Sequence, residues 1–178
     1  MKLRLLVLAV LTALALFATK PAFATAILTD GTWYVTTCDP LDTTCDNSFG
    51  ALNDALDPGL PPWTFTGPAL VDIVDCCINE GDLYNLFDNL ALVGTTSPAS
   101  GTCGEITAAG AWANPGCGKG TFALGAGSHS ITIEKTAGLV PADVFFRARA
   151  EVPEPASVLL LGAGLAGMRL IRRHRNQN

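Results

Sequence analysis

Charged side chains are scarce in this chain, and basic ones are scarcest in the region where a folded domain is expected. Only 15 % of the 178 residues are charged, and residues 25–150 hold four basic side chains against fourteen acidic ones, a net charge of −10. A surface of that sign repels phosphates, which excludes nucleic acid as an expected partner. A hydrophobic content of 49 % argues against a chain kept disordered by charge.

Long apolar runs and sustained helical periodicity are also lacking. No extended stretch repeats apolar residues every 3.6 positions, which argues against a helical domain. The two most apolar runs, residues 5–17 and 156–168, are shorter than the roughly 20 residues that a spanning helix requires. What remains between them is long enough for one domain with a single core.

The N-terminal 24 residues have the order of a secretory signal peptide. Lys2 and Arg4 precede the apolar run 5–17, and Ala22-Phe23-Ala24 follows it. Positive, apolar and small residues in this order predict a signal helix cleaved after Ala24, so that the mature chain begins at Thr25. The alternative is an uncleaved N-terminal anchor.

The C-terminal region 151–178 reads as a second targeting signal. Val152-Pro153-Glu154-Pro155 cannot continue a helix or a central strand. It is followed by the apolar run 156–168, predicted as a short transmembrane helix, and then by a basic membrane stop: Arg169, Arg172, Arg173 and Arg175. The arginines should keep that end cytoplasmic. The alternative is a permanent single-pass anchor on a proline-rich stalk.

The order of these three parts over residues 152–178 resembles the PEP-CTERM sorting signal of exported bacterial proteins. The resemblance implies that exosortase, a membrane-embedded cysteine peptidase, recognises Pro153, Glu154 and Pro155, cuts nearby and removes the apolar tail. It further implies delivery to the cell surface or extracellular matrix of a Gram-negative bacterium, with polysaccharide and biofilm as the associated setting.

The mature segment, residues 25–150, is predicted to be all-β. Short apolar runs alternate with turn-forming clusters, which is typical of a sandwich or barrel. We expect a hairpin over residues 121–134 with its turn at Gly125-Ala126-Gly127, and one helix over residues 48–56. The remaining strands are expected at residues 32–37, 69–76, 83–87, 90–93 and 144–150, the last of these at a sheet edge.

A second resemblance concerns this domain. Gly81-Asp82-Leu83-Tyr84, the turn at Asp88-Asn89 and the strand at residues 127–133 are similar to parts of the β-sandwich ectodomain of many PEP-CTERM proteins. The resemblance implies a single jelly-roll-like β-sandwich, a fold that often binds sugars.

All six cysteines lie in the exported segment, which predicts disulfides in an oxidising compartment. Spacing favours the pairs Cys38–Cys45 and Cys103–Cys117. The adjacent Cys76 and Cys77 are expected either to form a strained vicinal disulfide or to remain free thiols. Zinc sites favour cysteine pairs separated by two to four residues, and neither the six-residue separation of Cys38 and Cys45 nor the adjacent Cys76 and Cys77 fits that spacing.

Five acids fall close together in the chain and raise the alternative of a structural calcium site: Asp72, Asp75, Glu80, Asp82 and Asp88. Without an EF-hand pattern, we expect a solvated acidic rim and no cofactor. His129 is the only histidine of the mature segment. Because strand neighbours point to opposite faces, Ser128 and Ser130 cannot pair with it for catalysis, and an exposed strand histidine is expected.

Three functions remain in competition. The first is a non-catalytic surface or matrix protein processed by exosortase, since no catalytic constellation and no G-x-S-x-G pattern is present. The second is a carbohydrate-binding, lectin-like module that would use Trp33, Trp63 or Trp112; core packing is the alternative role of these residues. The third is a secreted hydrolase, which would need acids brought together by the fold.

Overall fold

A computed structural model describes residues 24–39, 44–47, 50–77, 81–138 and 141–151. The predicted signal helix, apart from Ala24, and the predicted C-terminal transmembrane helix lie outside these residues. Within the described part, no helix is long and apolar enough to cross a membrane.

The described ranges contain seven strands and one short helix. The strands form one sheet in the order β2-β7-β3-β6-β4-β5, with antiparallel neighbours throughout and β1 added in parallel to β3. The all-β prediction is therefore confirmed, while the jelly-roll-like arrangement stays a prediction. The elements are β1 Thr25–Ala26, β2 Tyr34–Cys38, β3 Trp63–Asp75, β4 Leu83–Asp88, β5 Ala91–Thr95, α1 Ala108–Ala113, β6 Lys119–Ala137 and β7 Ala142–Ala150.

The predicted hairpin over residues 121–134 is wrong, because β6 runs through the glycine cluster as one strand of 19 residues. Gly67 pairs with Gly127 and Ala69 with Leu124, so residues 125 and 126 together face only Pro68. This is a β-bulge, which bends a strand without reversing it. Glycines mark both turns and bulges, and here the partner strand decides between them.

The predicted helix over residues 48–56 is also wrong. Residues 48 and 49 lie outside the described part, and residues 52–55 form a tight turn in which Leu52 and Ala55 exchange backbone hydrogen bonds of 3.0 and 2.9 Å. Leu56 then bonds to the backbone of Val35 and Trp33, so the segment covers the outer edge of β2. The apolar residues in this segment have helix-like spacing, but they belong to a non-helical segment that packs on the sheet.

The turn predicted at Asp88-Asn89 lies one residue later in the chain: Asp88 ends β4, and Asn89 and Leu90 are the two turn residues before β5. By contrast, β7 is not an edge strand as expected, because it lies between β2 and β3. The chain therefore leaves the sheet from its interior, where the backbone N–H of Glu151 donates to the carbonyl of Pro68 at 3.4 Å.

Two apolar clusters lie on opposite faces of the sheet. The larger one contains Trp63 and Phe146, whose ring centroids are 4.5 Å apart, together with side chains from both sides of the bend in β3 and β6. The smaller one packs α1 against β7 and β3 through Phe145, Val74 and Ala111. Successive side chains of β7 point to opposite faces of the sheet, so this strand contributes to both clusters, as its sequence predicts.

Candidate functional site

An open pocket of about 430 Å³ lies where the β4–β5 turn meets the bent strands. Its walls come from β1, β3, β6 and the turn, and are formed by Ala26, Thr64, Phe65, Thr66, Asn89, Ser128, His129 and Ser130. Asn89 is fixed there because its backbone N–H donates to Ser130 O at 2.9 Å and its amide to Ser128 O at 3.4 Å. The pocket presents four hydroxyl groups and an amide, and His129 is the titratable side chain of its lining.

His129 lines this pocket and is buried, at 8 % exposure, where an exposed histidine was expected. Its Nδ1 lies 2.8 Å from Asp88 Oδ2, and its Nε2 lies 2.9 Å from the carbonyl oxygen of Gly125. The ring also packs against Phe65. The expectation failed because the bulge turns a β6 carbonyl toward the ring and the β4 terminus supplies a carboxylate.

Both ring nitrogens of His129 face oxygen acceptors, an arrangement that favours the protonated ring, in which both nitrogens are donors. No ring nitrogen is left to take a proton from Ser128 or Ser130, which a nucleophile–base pair would require. Ser130 instead donates its backbone N–H to Asp88 Oδ1 at 3.1 Å. The side chain of His129 therefore links the β6 bulge to the end of β4 through its hydrogen bonds to Gly125 and Asp88.

Titration of His129 tests this assignment. Burial alone would lower the pKa of His129, but the hydrogen bond to Asp88, the hydrogen bond to Gly125 and the charge of Asp88 together raise it above its usual value of 6.5. We expect an NMR titration of the processed protein to give a pKa above 6.5. The stabilisation should be fully present below pH 6.5 and be lost as the pH rises through the folded-state pKa. A pKa at or below 6.5 would contradict the role of His129 as the link between the β6 bulge and the end of β4.

A second polar cluster lies on the face of the sheet that carries α1. Asp72 is fully buried and accepts hydrogen bonds of 2.8 Å from the Nε atoms of Arg147 and Arg149 and one of 2.7 Å from Thr121. Burial raises the pKa of Asp72, but these bonds and the charge of Arg149 outweigh it and hold that pKa below its usual value. Asp72 is therefore an arginine partner, and its carboxylate is not available to calcium.

The tryptophans support the core more than they form a platform for sugars. Trp63 is fully buried, and Trp33 is 8 % exposed. The guanidinium of Arg147 lies 4.2 Å from the ring centroid of Trp33 and 5.6 Å from that of the half-buried Trp112. The guanidinium covers one face of Trp33, and the burial of Trp33 and Trp63 agrees with core packing, the alternative role expected for the tryptophans.

The remaining acids that the structure describes do not converge on a cation site. Asp88 is bonded to His129, Glu80 lies outside the described residues, and Asp75 and Asp82 are fully buried neighbours. The described ranges contain no group of three His, Cys, Asp or Glu side chains placed to hold a metal ion. Asp75 also accepts a hydrogen bond of 3.2 Å from Tyr84 Oη.

Three disulfides are present. Cys38 is bonded to Cys45 and Cys103 to Cys117, the two pairs that spacing favoured, and Cys76 is bonded to Cys77, one of the two alternatives for that pair. Cys103 and Cys117 border the small apolar cluster and hold the α1 segment against β3. The Cys103–Cys117 disulfide therefore reinforces the face that carries Asp72 and its arginines, whereas Cys38 and Cys45 belong to the larger cluster on the other face.

The sorting residues predicted from the sequence follow the described part, which ends at Glu151. Val152, Pro153, Glu154, Pro155 and the basic stop Arg169, Arg172, Arg173 and Arg175 lie outside it, so their geometry is not described. Glu151 places the start of this segment beside Pro68, at the bend of β3.

Comparison with known proteins identifies this C-terminal segment. Residues 151–175 match the family model described as the PEP-CTERM protein-sorting motif. This motif indicates an exported protein that is processed at the membrane by exosortase in Gram-negative bacteria. No curated protein and no solved structure matches the chain. The resemblance of the tail is confirmed, and the domain before it has no matched relative.

Proposed function

We propose that the domain is a non-catalytic component of the cell surface or extracellular matrix, released to that location when exosortase removes its tail. The observation that carries the proposal is the engagement of both ring nitrogens of His129, because it leaves the mature domain's only histidine unable to act as a base. Three disulfides support a role in an oxidising environment outside the cytoplasm.

The proposed fold of this component is a jelly-roll-like sandwich. In support, the bend at Gly67 and the facing bulge of β6 let the two halves of β3 and β6 bury Trp63, Ile131, Val71 and Leu124 in one core. A sheet folded over itself in this way has few exposed edges for unintended pairing.

A specific observation favours carbohydrate binding as a second candidate. The pocket beside His129 carries four hydroxyl side chains and an amide, groups that exchange hydrogen bonds with sugar hydroxyls. A hydrolase would instead need accessible acids, and the neighbouring carboxylates Asp75 and Asp82 are fully buried. The polysaccharide-binding and hydrolytic alternatives can be separated in one experiment.

The experiment uses processed protein recovered from its host, incubated with the host's extracellular polysaccharide. Under the matrix proposal, the protein fractionates with the cell surface or matrix and releases no new reducing ends. Release of reducing ends would contradict a non-catalytic role. If the pocket binds the glycan, Thr66→Arg should abolish cosedimentation, whereas Thr102→Arg, at another exposed threonine, should not. Equal cosedimentation of both variants would contradict binding at the pocket.

A further inference from the structure

The exit of the chain from the sheet defines a membrane-facing end of the domain. Glu151 is fixed to Pro68 at the bend, and the apolar run of the sorting segment begins at Ala156. Five residues at full extension span at most about 18 Å. While the tail holds the protein at the membrane, the bend must therefore lie within that distance of the start of the apolar segment.

The β4–β5 turn belongs to the same end of the molecule. Gly67, next to Pro68, pairs with Gly127, and the following residue Ser128 accepts a hydrogen bond from the side chain of Asn89. The turn is thus connected to the exit point by direct contacts across two strands. We call residues 89–93, the turn and the first half of β5, the hairpin tip.

Leu90 at the hairpin tip is unusual in two independent ways. Its side chain is 91 % exposed, and its backbone has φ of +68°, a left-handed conformation in which glycine is preferred and leucine is strained. Its neighbours Leu92 and Val93 are 57 % and 37 % exposed. Neither the fold of the domain nor the geometry of the turn accounts for a leucine at this position.

The charge pattern indicates what the hairpin tip contacts. Residues 89–104 contain no charged side chain, although the mature segment as a whole carries −10. An uncharged, apolar tip can enter the lipid interface without the cost of removing water from a charged group. Leucine is a typical residue on the buried face of interfacial elements. Because the connection between the domain and the tail is short, the bilayer is the surface nearest to the hairpin tip while the tail is in the membrane.

We propose that the hairpin tip inserts Leu90 and Leu92 into the lipid interface while the sorting tail tethers the protein, so that the domain is held on the membrane in a fixed orientation until it is cut. The proposal rests on the membrane association of the tail. It adds a second contact with the bilayer, formed by the folded domain itself.

Leu90→Trp and a matched control, Ile106→Trp, test this contact in the full-length chain reconstituted into phosphatidylcholine vesicles with brominated acyl chains. Ile106 is 60 % exposed and adjoins Glu105, whose carbonyl accepts from Cys77 N at 3.1 Å, so it lies beyond the end of β3, at least about 20 Å from the bend. We expect the bromines to quench the added emission of Leu90→Trp roughly twofold more than that of Ile106→Trp. The unsubstituted chain supplies the background from Trp33, Trp63 and Trp112.

Each other outcome is informative. Equal quenching of the two variants would overturn the proposal, as would quenching of Leu90→Trp that requires added exosortase, since the partner would then be the enzyme. An emission shift that depends on protein density and not on bromine would indicate a second copy of the chain, again overturning it. Vesicle flotation reports the tether separately, so its failure would contradict the sorting tail. Leu90→Gly, which should unfold at no lower denaturant concentration, shows that the leucine is not needed for folding.

Discussion

The free energy of unfolding should fall as the pH rises from about 4 to 7, and one buried carboxyl should account for most of that fall. Asp75 is fully buried at the end of β3. Burial, followed by repulsion from Asp82, raises the pKa of Asp75 to about 7, although the hydrogen bond from Tyr84 acts in the opposite direction. A shift of this size corresponds to a stability change on the order of 4 kcal/mol.

The sign follows from proton linkage. In the unfolded chain Asp75 releases its proton near pH 4, whereas the folded protein retains it until about pH 7. Between these values the unfolded state binds fewer protons than the folded state, so stability decreases with pH. Above pH 7 both states are ionised and the loss is complete.

Asp75→Asn should therefore be more stable than the natural chain at pH 8 and show a much flatter profile between pH 4 and 7. Denaturant unfolding at several pH values measures both effects. Asp46→Asn, at a more exposed carboxyl in the segment after Cys45, is the matched control and should keep the natural profile. Parallel profiles for the natural chain and Asp75→Asn would show that Asp75 does not hold its proton.

Removing the Cys103–Cys117 disulfide should cost about 3 kcal/mol, because it closes a loop of about 15 residues whose freedom in the unfolded chain is otherwise large. Both cysteines are buried, and the loop carries α1 with its buried residues Ala108 and Ala111. Without the bond, α1 should detach more readily from Phe145 and Val74.

The double variant Cys103→Ser/Cys117→Ser, unfolded in denaturant, measures the loss. Cys38→Ser/Cys45→Ser removes a disulfide elsewhere in the domain and so distinguishes the effect of this loop from the general effect of losing a disulfide. That bond closes a shorter loop and should contribute slightly less, about 2.5 kcal/mol. Fluorescence of Trp112 should change in the first variant but not in the second. An unchanged unfolding midpoint in the first variant would contradict this account.

The strands whose pattern is local could be predicted from the sequence. Residues 83–88 alternate in burial before a two-residue turn, and β7 shows its two faces in its own residues. The glycine cluster at residues 125–127 could not be assigned, because it becomes a bulge only through Gly67 and Pro68 on the partner strand. The helix expected at residues 48–56 failed for a similar reason, since contact with β2 overrides local spacing.

The candidate site was harder to predict because its contacts join distant parts of the chain. His129 is buried by Asp88, 41 residues away, and Asp72 meets Arg147 from 75 residues away. No local pattern distinguishes a carboxylate that binds arginine from one that binds calcium. The disulfides Cys38–Cys45 and Cys103–Cys117 lie at the other extreme, since their short separations made them the favoured pairs.

The most direct test of the sorting account follows an epitope placed after Asn178 in a host that contains exosortase and in one that lacks it. We predict that extracellular protein loses the epitope only in the first host, and that Glu154→Ala or Pro155→Ala leaves the protein exported but held at the inner membrane with the epitope attached. If the epitope survives equally in both hosts, the tail is a permanent anchor and the account is wrong.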